Sequence, residues 1–183
     1  MFWSRPELRV LFVCTANVCR SPLAEGLLRQ RLHENGLAGR IQVSSAGTTA
    51  LRGLRPDPRV IEVATEAGVP LGRIRSRRLT TRMLMRSDYV LVMDRSQLED
   101  IRNMGWGPAN THGDANGDVS DPTSDNVQLL GHFLPETGAR AFVPDIPDPY
   151  FGDPQGFRDV HAMIDEAVCR LVEHLSLQMA VDT

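Results

Sequence analysis

The sequence contains no lysine, so all twenty of its basic residues are arginine. Its formal net charge of −3 at pH 7 excludes the broad positive field typical of nucleic-acid-binding proteins. Three cysteines in 183 residues are too few for a disulfide scaffold. No apolar segment is long enough to cross a membrane, and the N-terminal residues lack the apolar core of a signal peptide. We therefore expect a cytoplasmic protein that neither binds nucleic acid nor inserts into a membrane.

Strand-like and helix-like segments alternate along the chain. Short apolar runs predict strands at 10–13, 41–45, 89–93 and 127–130. Apolar residues at helical spacing predict helices at 23–32, 57–67, 94–102 and 157–175. The alternation predicts a single α/β domain over 1–183, a three-layer sandwich with a four-stranded parallel sheet and helices on both faces. Residues 105–126, rich in Gly, Asn and Asp, are predicted to form a long surface loop.

Residues 10–22 combine a strand, a tight loop and the start of a helix. Ser21 and Pro22 are typical of an N-cap and a first helical position. Five residues therefore separate Cys14 from Arg20 in a loop that leads into a helix N-terminus. Such a loop turns its backbone N–H groups inward and adds the positive end of the helix dipole. We interpret it as a phosphate-binding loop after strand 1, with Cys14 at its base.

The residue types in this loop suit nucleophilic attack on phosphorus. A thiolate is far more nucleophilic than a thiol, and the inward amides, the helix dipole and Arg20 would each favour a Cys14 thiolate. Arg20 also presents a planar fork that matches two phosphate oxygens, and Ser21 can donate its hydroxyl to the sulfur. A Cys-x5-Arg-[Ser/Thr] pattern is expected by chance about 0.04 times in a chain of this composition. We further hypothesise that Cys19 pairs with Cys14 under oxidation and reversibly inactivates the site.

This loop resembles the signature of the low-molecular-weight protein tyrosine phosphatase family, Val-Cys-x-Gly-Asn-x-Cys-Arg-Ser-Pro. The matching residues are Cys14, Asn17, Cys19, Arg20, Ser21 and Pro22. The resemblance implies that Cys14 attacks phosphotyrosine and forms a phosphocysteine, with neither a metal nor a cofactor. It implies that the phosphate is bound by loop residues, namely Thr15, Ala16, Asn17, Val18, Cys19 and Ser21. Ala16 stands where the family usually has glycine, so it is strained if that position needs a positive φ.

A second motif, Asp-Ile-Pro-Asp-Pro-Tyr, occupies residues 145–150. Prolines on both sides stiffen the backbone around Asp148, and a rigidly held loop carboxyl suits a general acid. Asp-Pro alone is common in turns, but the family carries Asp-Pro-Tyr before its last helix. The resemblance spans 10–175 and implies that Asp148 protonates the leaving phenolate and then activates water.

The resemblance implies roles for Tyr150 and Ser45, and the place of Leu51 between a strand and a helix, beside the phosphate-binding loop, implies another. Tyr150 is expected to stack on the substrate ring, and Leu51 to form another wall of the pocket. Ser45, in a Ser-Ala-Gly segment, is expected to support Asn17 by hydrogen bonding. Ile74 stands where the family often has a histidine that braces the loop, so that brace is predicted to be missing.

The segment 50–53, Ala-Leu-x-Gly, is similar to the bacterial subgroup that is paired with capsule and exopolysaccharide tyrosine kinases. This similarity implies an autophosphorylated tyrosine kinase as the protein substrate. Five arginines crowd the next region: Arg73, Arg75, Arg77, Arg78 and Arg82. They form either a docking face for an acidic, phosphorylated partner or a solvated helix and loop.

Three alternative functions stay open. A protein-arginine phosphatase is the nearest, although members of that kind tend to have threonine at the position of Val18. A weak phosphotyrosine-binding module would result if Ala16 and Ile74 disabled the loop. An arsenate reductase would need resolving cysteines, and only Cys169 is left over, in a helix where we expect it to face the core.

Overall fold

The computed structural model describes residues 6–106, 126–135 and 143–181. Nearly all of the surface loop predicted at 105–126 lies outside the described residues. The strands are β1 (Leu8–Cys14), β2 (Ile41–Gly47), β3 (Tyr89–Val92) and β4 (Val127–Leu129). The helices are α1 (Arg20–Glu34), α2 (Pro58–Glu66), α3 (Thr81–Met85), α4 (Arg95–Asn103) and α5 (Pro154–Val181), with a 3-10 turn at Leu130–Phe133.

The four strands form one parallel sheet in the order β2-β1-β3-β4. Cys14 lies opposite Gly47, and Val13 lies between Ala46 and Val92. After β1, the chain forms β2 on one side of β1 and then crosses over to form β3 on the other side of β1. In such sheets, ligands bind beyond the carboxyl ends of the strands where this direction reverses. Here that point is the end of β1, beside the end of β3.

Alternate residues of β1 enter two separate hydrophobic cores. Val10, Phe12 and Cys14 pack in the core that also contains the buried faces of α1, α2 and α5. Leu11 and Val13 pack in the other core, with buried residues of α3 and α4. Because strand side chains alternate between faces, the sheet has helices on both sides. The predicted three-layer α/β fold is therefore confirmed.

Two local predictions were wrong. Ser21 is not the N-cap of α1, because the helix begins at Arg20 with Cys19 in the cap position. The Ser21 hydroxyl instead contacts the Cys14 sulfur and the Ala46 carbonyl. Cys169 is exposed rather than buried in the core.

Helix α5 shows why Cys169 is exposed. Its buried residues Val168 and Leu171 define the face toward the sheet, and residue 169 is turned about 100° from residue 168 at 3.6 residues per turn. The helix is also longer at both ends than its predicted range of 157–175. Nowhere in the described part of the chain is there a helix with the length and apolar character required to cross a bilayer.

Strand β2 is an edge strand whose carbonyls are bonded by arginine side chains. Arg29 Nη2 donates to the Val43 carbonyl at 3.0 Å, and Arg77 Nη2 donates to the Ser45 carbonyl at 2.9 Å. Further along the edge, the Gly47 N–H donates to the Arg77 carbonyl at 2.9 Å. These bonds tie the end of β2 to the segment that precedes α3.

Candidate active site

The loop from Cys14 to Arg20, which we call the cradle, surrounds the Cys14 sulfur with polar groups. The Asn17 N–H points at the sulfur from 3.3 Å, and the Ser21 hydroxyl lies 3.0 Å from it. Cys14 is only 2% exposed at the end of β1. The sulfur is therefore held by two hydrogen-bonding groups at the base of the loop.

Asn17 holds the cradle in shape. Its φ of 56° is the one left-handed backbone among the non-glycine residues of the described ranges. Its side-chain amide donates to the hydroxyls of Ser21 and Ser45, both at 2.9 Å, and its carbonyl oxygen accepts from the Arg77 N–H at 2.8 Å. Asparagine tolerates this conformation better than most residues. Because the left-handed residue is Asn17 and not Ala16, the strain predicted for Ala16 is absent.

The contact predicted between Ser45 and Asn17 is present, and it continues to a buried acid. The Ser45 hydroxyl donates to Glu25 Oε2 at 2.5 Å. Burial raises the pKa of Glu25, while the Ser45 hydrogen bond and the nearby Arg29 oppose that rise. Ile74 is buried in the core, so no histidine braces the loop there. The Arg77 backbone N–H braces Asn17 from that side instead.

Gly47 allows the cradle to lie directly against the end of β2. A Cβ atom at Gly47 would lie 2.5 Å from the Thr15 carbonyl oxygen and 2.8 Å from the Asn17 nitrogen. Real Cβ atoms do not approach backbone atoms so closely. The next residues fasten the loop, because the N–H groups of Thr48 and Thr49 donate to the carbonyls of Cys14 and Thr15, each at 3.0 Å.

The Arg20 guanidinium joins three segments that are distant in sequence. Nη1 donates to Asp94 Oδ2 at 2.6 Å and to the Ile146 carbonyl at 3.0 Å, and Nη2 donates to Asp148 Oδ2 at 2.6 Å. The Arg20 side chain is nearly buried. Two carboxylates and a carbonyl therefore fix the orientation of the fork.

Asp94 lies two residues after β3, at the edge of the sheet where the chain direction reverses. It is the N-cap of α4 in a capping box with Gln97. Burial would raise the pKa of Asp94, but hydrogen bonds from Ser96, Arg20 and Gln97 together leave that pKa below its usual value. Gln97 also donates to the Thr15 hydroxyl at 3.2 Å. The start of α4 thus contacts both ends of the cradle.

Asp148 is the most exposed of the charged groups at the cradle, with a side chain 46% exposed. Its Oδ1 accepts from the Tyr150 N–H at 3.1 Å, while its Oδ2 is bound to Arg20. The segment is anchored behind it, because the buried Ile146 donates its N–H to the Met93 carbonyl at 2.7 Å. An anchored backbone therefore carries a carboxyl that faces solvent.

Three exposed apolar side chains belong to the segment that follows Asp148 and to the loop after β2. Tyr150 is 44% exposed and Phe151 is 95% exposed, and their rings form an edge-to-face pair with centroids 5.0 Å apart. Leu51, predicted as a pocket wall, is 71% exposed. Phe151 was not predicted to be part of the site.

Arg59 joins α2 to the Asp148 segment. Its guanidinium donates to the Tyr150 carbonyl at 3.1 Å and lies over the rings of Tyr150 and Phe157, at 5.3 Å and 4.4 Å from their centroids. It also forms an ion pair with Asp57. The hydrogen bond from the Arg59 side chain to Asp57 is the main cause that lowers the pKa of this carboxyl. Arg59 thus links the N-terminus of α2 to the aromatic side chains.

Cys19 is buried in the cradle, and its neighbour Val18 is half-buried. Burial raises the pKa of the Cys19 thiol to about 12. Cys19 is therefore a protonated thiol at neutral pH. Val18 is half-buried against the core, and its carbonyl accepts from the Asp57 N–H at 2.8 Å.

Four of the twelve predicted site residues are joined in one hydrogen-bonded group. It contains Cys14, Asn17, Ser21 and Ser45, and the Arg20–Asp148 pair adjoins it. The contacting residues that the sequence reasoning missed are Glu25, Arg59, Arg77, Asp94 and Gln97. Of these residues, only Asp94 could have been predicted from the sequence, because it directly follows the predicted strand 89–93 at the carboxyl edge of the sheet.

Comparison with known proteins gives a consistent result. Residues 9–181 match the low molecular weight phosphotyrosine protein phosphatase family. The low molecular weight protein-tyrosine phosphatase A of Mycobacterium tuberculosis is 32% identical over 174 residues, which cover 94% of each chain.

Two solved structures are also similar. The tyrosine phosphatase Wzb from Escherichia coli K30, solved with sulphate, is 29% identical with a TM-score of 0.70, covering 91% of this chain and 97% of its own. The YwlE arginine phosphatase from Geobacillus stearothermophilus is 26% identical with a TM-score of 0.75, covering 96% of this chain and 97% of its own. With its fold, its cradle and a family match over nearly its whole length, the chain belongs to the low molecular weight phosphotyrosine protein phosphatase family.

Proposed function

We propose that this protein hydrolyses phosphotyrosine in proteins through a phosphocysteine intermediate. The observation that carries the proposal is the 2.6 Å ion pair between Arg20 and Asp148. It joins the phosphate-binding arginine of the cradle to a carboxyl 128 residues away, so that a nucleophile, an anion-binding group and an acid meet in one site.

In the first step, Cys14 Sγ attacks phosphorus in line with the phenolic oxygen. The sulfur–phosphorus bond forms as the phosphorus–oxygen bond breaks, and protonated Asp148 donates its proton to the leaving oxygen. In the second step, Asp148 accepts a proton from water, which attacks the phosphocysteine and releases phosphate. The Ser21 hydroxyl, 3.0 Å from the sulfur, stabilises the departing thiolate.

Arg20 and the cradle amides bind the three equatorial oxygens as the transition state forms. Arg20 Nη2 is already bound to a carboxylate oxygen of Asp148. A substrate phosphate presents the same kind of oxygen with more negative charge, so we infer that it displaces Asp148 from Arg20. The displaced carboxyl is then free to take up a proton and face the leaving group.

The exposed apolar side chains favour an aromatic substrate. Leu51 and Tyr150 would enclose the phenyl ring, and Phe151 extends the apolar surface beyond Tyr150. By the resemblance of the 50–53 segment, the protein substrate would be an autophosphorylated tyrosine kinase of polysaccharide export. We expect the protein to act in the cytoplasm, where a reactive thiolate stays reduced.

Steady-state hydrolysis of p-nitrophenyl phosphate, without added metal, tests the mechanism. Wild-type protein should turn over, Cys14→Ser should be inactive, and Asp148→Ala should be strongly impaired. Wild-type protein that binds vanadate without turnover would identify a phosphate-binding module instead and would contradict the proposal.

Paired peptides test the choice of substrate, since a structurally similar relative is an arginine phosphatase. Wild-type protein should cleave a phosphotyrosine peptide faster than a matched phosphoarginine peptide, because Val18 adds only an apolar side chain to the cradle. Val18→Thr should shift the ratio toward phosphoarginine. Faster cleavage of phosphoarginine by the wild type would favour the arginine phosphatase.

A further inference from the structure

A concave surface that does not include Cys14 is lined by residues of β1, β2 and α3. We call it the arginine groove, and its volume is about 820 Å³. Its charged lining consists of Arg9, Arg77, Arg82, Arg86 and Asp88. Four arginines thus face one carboxylate in a protein whose overall net charge is −3.

Much of this positive charge is uncompensated. Asp88 accepts a hydrogen bond from the Arg9 backbone N–H at 2.6 Å, and Arg77 bonds to the Ser45 carbonyl. Within the described ranges, the guanidinium groups of Arg9, Arg82 and Arg86 form no ion pair. Arg82 and Arg86 are exposed at the α3 side of the groove. Such a concentration of unpaired guanidinium groups attracts anions.

We propose that the arginine groove binds an acidic segment of the phosphoprotein substrate, a stretch rich in Asp and Glu. This inference rests on the proposed phosphatase function. The groove is far larger than a single phosphate, and uncharged polar residues such as Ser44 and Thr80 also line it. An elongated chain with several carboxylates matches that arrangement. No aromatic residue lines the described groove, so it lacks the stacking surface that single-stranded nucleic acid requires.

The groove and the cradle share a structural element. The Arg77 side chain lines the groove, while its backbone N–H donates to Asn17 in the cradle at 2.8 Å. Arg9 lies five positions before Cys14 on β1, which corresponds to about 17 Å at 3.3 Å per strand residue. Because the straight strand gives the shortest separation, an acidic segment that reaches the groove from a phosphotyrosine in the cradle begins at least about five extended residues away.

Two synthetic phosphotyrosine peptides test the proposal. One carries Glu residues from five to ten positions away from the phosphotyrosine, and the other carries Gln at the same positions. At low ionic strength, wild-type protein should have about a tenfold higher kcat/KM for the Glu peptide, because rim charges act mainly on association and KM. The Arg82→Glu/Arg86→Glu variant should lose this preference and keep wild-type turnover of p-nitrophenyl phosphate.

The control is Arg102→Glu/Arg170→Glu, which changes the net charge equally with exposed arginines outside the groove. It should keep the preference. A preference that survives in the groove variant, or that falls equally in the control, overturns the proposal.

A binding measurement separates this proposal from the catalytic one. Orthovanadate occupies the cradle, and fluorescence anisotropy follows an unphosphorylated, labelled Glu-rich peptide. Binding should weaken with salt and disappear in the groove variant. No binding, or tighter binding of an oligonucleotide of equal charge, overturns the docking of an acidic peptide. Because no turnover is measured, this result stands whether or not p-nitrophenyl phosphate is hydrolysed.

Discussion

The two halves of the site differ in how firmly they are held. In the cradle Cys14, Asn17, Cys19 and Arg20 are buried, and Asn17 alone forms three side-chain hydrogen bonds to the residues around the loop. The segment 145–151 is anchored at Ile146, but beyond that point it places Asp148, Tyr150 and Phe151 in or near solvent. One half is fixed before substrate arrives, and the other half has side chains that are free to change partners.

This difference matches two chemical tasks. Stabilising a transition state requires donors that need no reorganisation when charge develops, and the hydrogen bonds of Asn17 hold the cradle in place for that task. A general acid must exchange protons with water twice in each cycle, so it needs access to solvent. Variants in the cradle should therefore impair all substrates alike, whereas variants in the acid segment should act according to the leaving group.

The largest effect is expected from Arg20→Lys. Lysine keeps the charge but cannot hold two phosphate oxygens in a planar fork, so kcat should fall about 1,000-fold for every leaving group. Steady-state kinetics with several aryl phosphates measures this, with thermal unfolding to confirm that the variant folds. A loss smaller than tenfold would mean that the cradle does not depend on this side chain.

Asp148→Asn should act selectively. For phenyl phosphate, whose leaving group needs a proton, kcat should fall about 100-fold. For 2,4-dinitrophenyl phosphate, whose leaving group needs none, the loss should be much smaller. The matched control is Asp94→Asn, which removes the other carboxylate partner of Arg20 and should impair both substrates in equal proportion. If Asp148→Asn lowered kcat equally for both substrates, Asp148 would not be the general acid.

Gly47→Ala tests how tightly the cradle is packed. The added Cβ would meet backbone atoms of Thr15 and Asn17 at 2.5 and 2.8 Å, so the loop must shift. We expect about a tenfold loss of kcat and about 1–3 kcal/mol of stability. Gly72→Ala is the control, because a Cβ there meets open space. If both variants keep the kcat and the stability of the wild type, the close approach of the cradle to Gly47 does not matter for function.

Oxidation tests the two cysteines of the cradle, Cys14 and Cys19. After mild peroxide, Cys14 sulfenic acid should be attacked by the Cys19 sulfur, releasing water and forming a disulfide that a reductant reverses. Burial raises the pKa of Cys19 to about 12, so closure should be faster at higher pH. The Cys19→Ala variant should not regain its activity when a reductant is added after the peroxide. Mass spectrometry that finds Cys14 sulfinic acid and no Cys14–Cys19 link would refute this pairing.

The smallest effect concerns stability in acid. The pKa of Asp94 is lower in the folded state, so the unfolded state binds more protons as the pH falls. Its contribution is complete above about pH 4 and is lost as the pH falls through the folded pKa. Denaturant unfolding between pH 7 and pH 3 should therefore show a shallower decline for Asp94→Asn than for the wild type. If the stability of both proteins fell equally with pH, Asp94 would not link protonation to unfolding.

The sequence predicted what is encoded locally. Cys14, Arg20 and the following helix lie within one short stretch, and the alternating strands and helices predicted the sheet correctly. It could not predict contacts made by distant residues, such as Ser45 with Glu25 or Arg20 with Asp94. Those pairs depend on the register of the strands, which only the folded chain defines.

Local rules also failed where two roles competed for one side chain. Ser21 looks like an N-cap, but the sulfur of Cys14 and the carbonyl of Ala46 engage its hydroxyl. Helix α3 was missed because five residues are too few for a periodic signal. The Ile74 position shows the reverse case, because the expected loss of a brace is made good by a backbone group, the Arg77 N–H, that no side-chain pattern reveals.

The arginines along β2 have a consequence for the behaviour of the protein at high concentration. Unpaired carbonyls on an edge strand are the groups that another chain uses to add a strand and start aggregation. At Val43 and Ser45 those carbonyls are already bonded by Arg29 and Arg77. At the opposite edge, β4 has only three residues, too short to template another strand. These two guanidinium groups thereby protect the sheet against self-association.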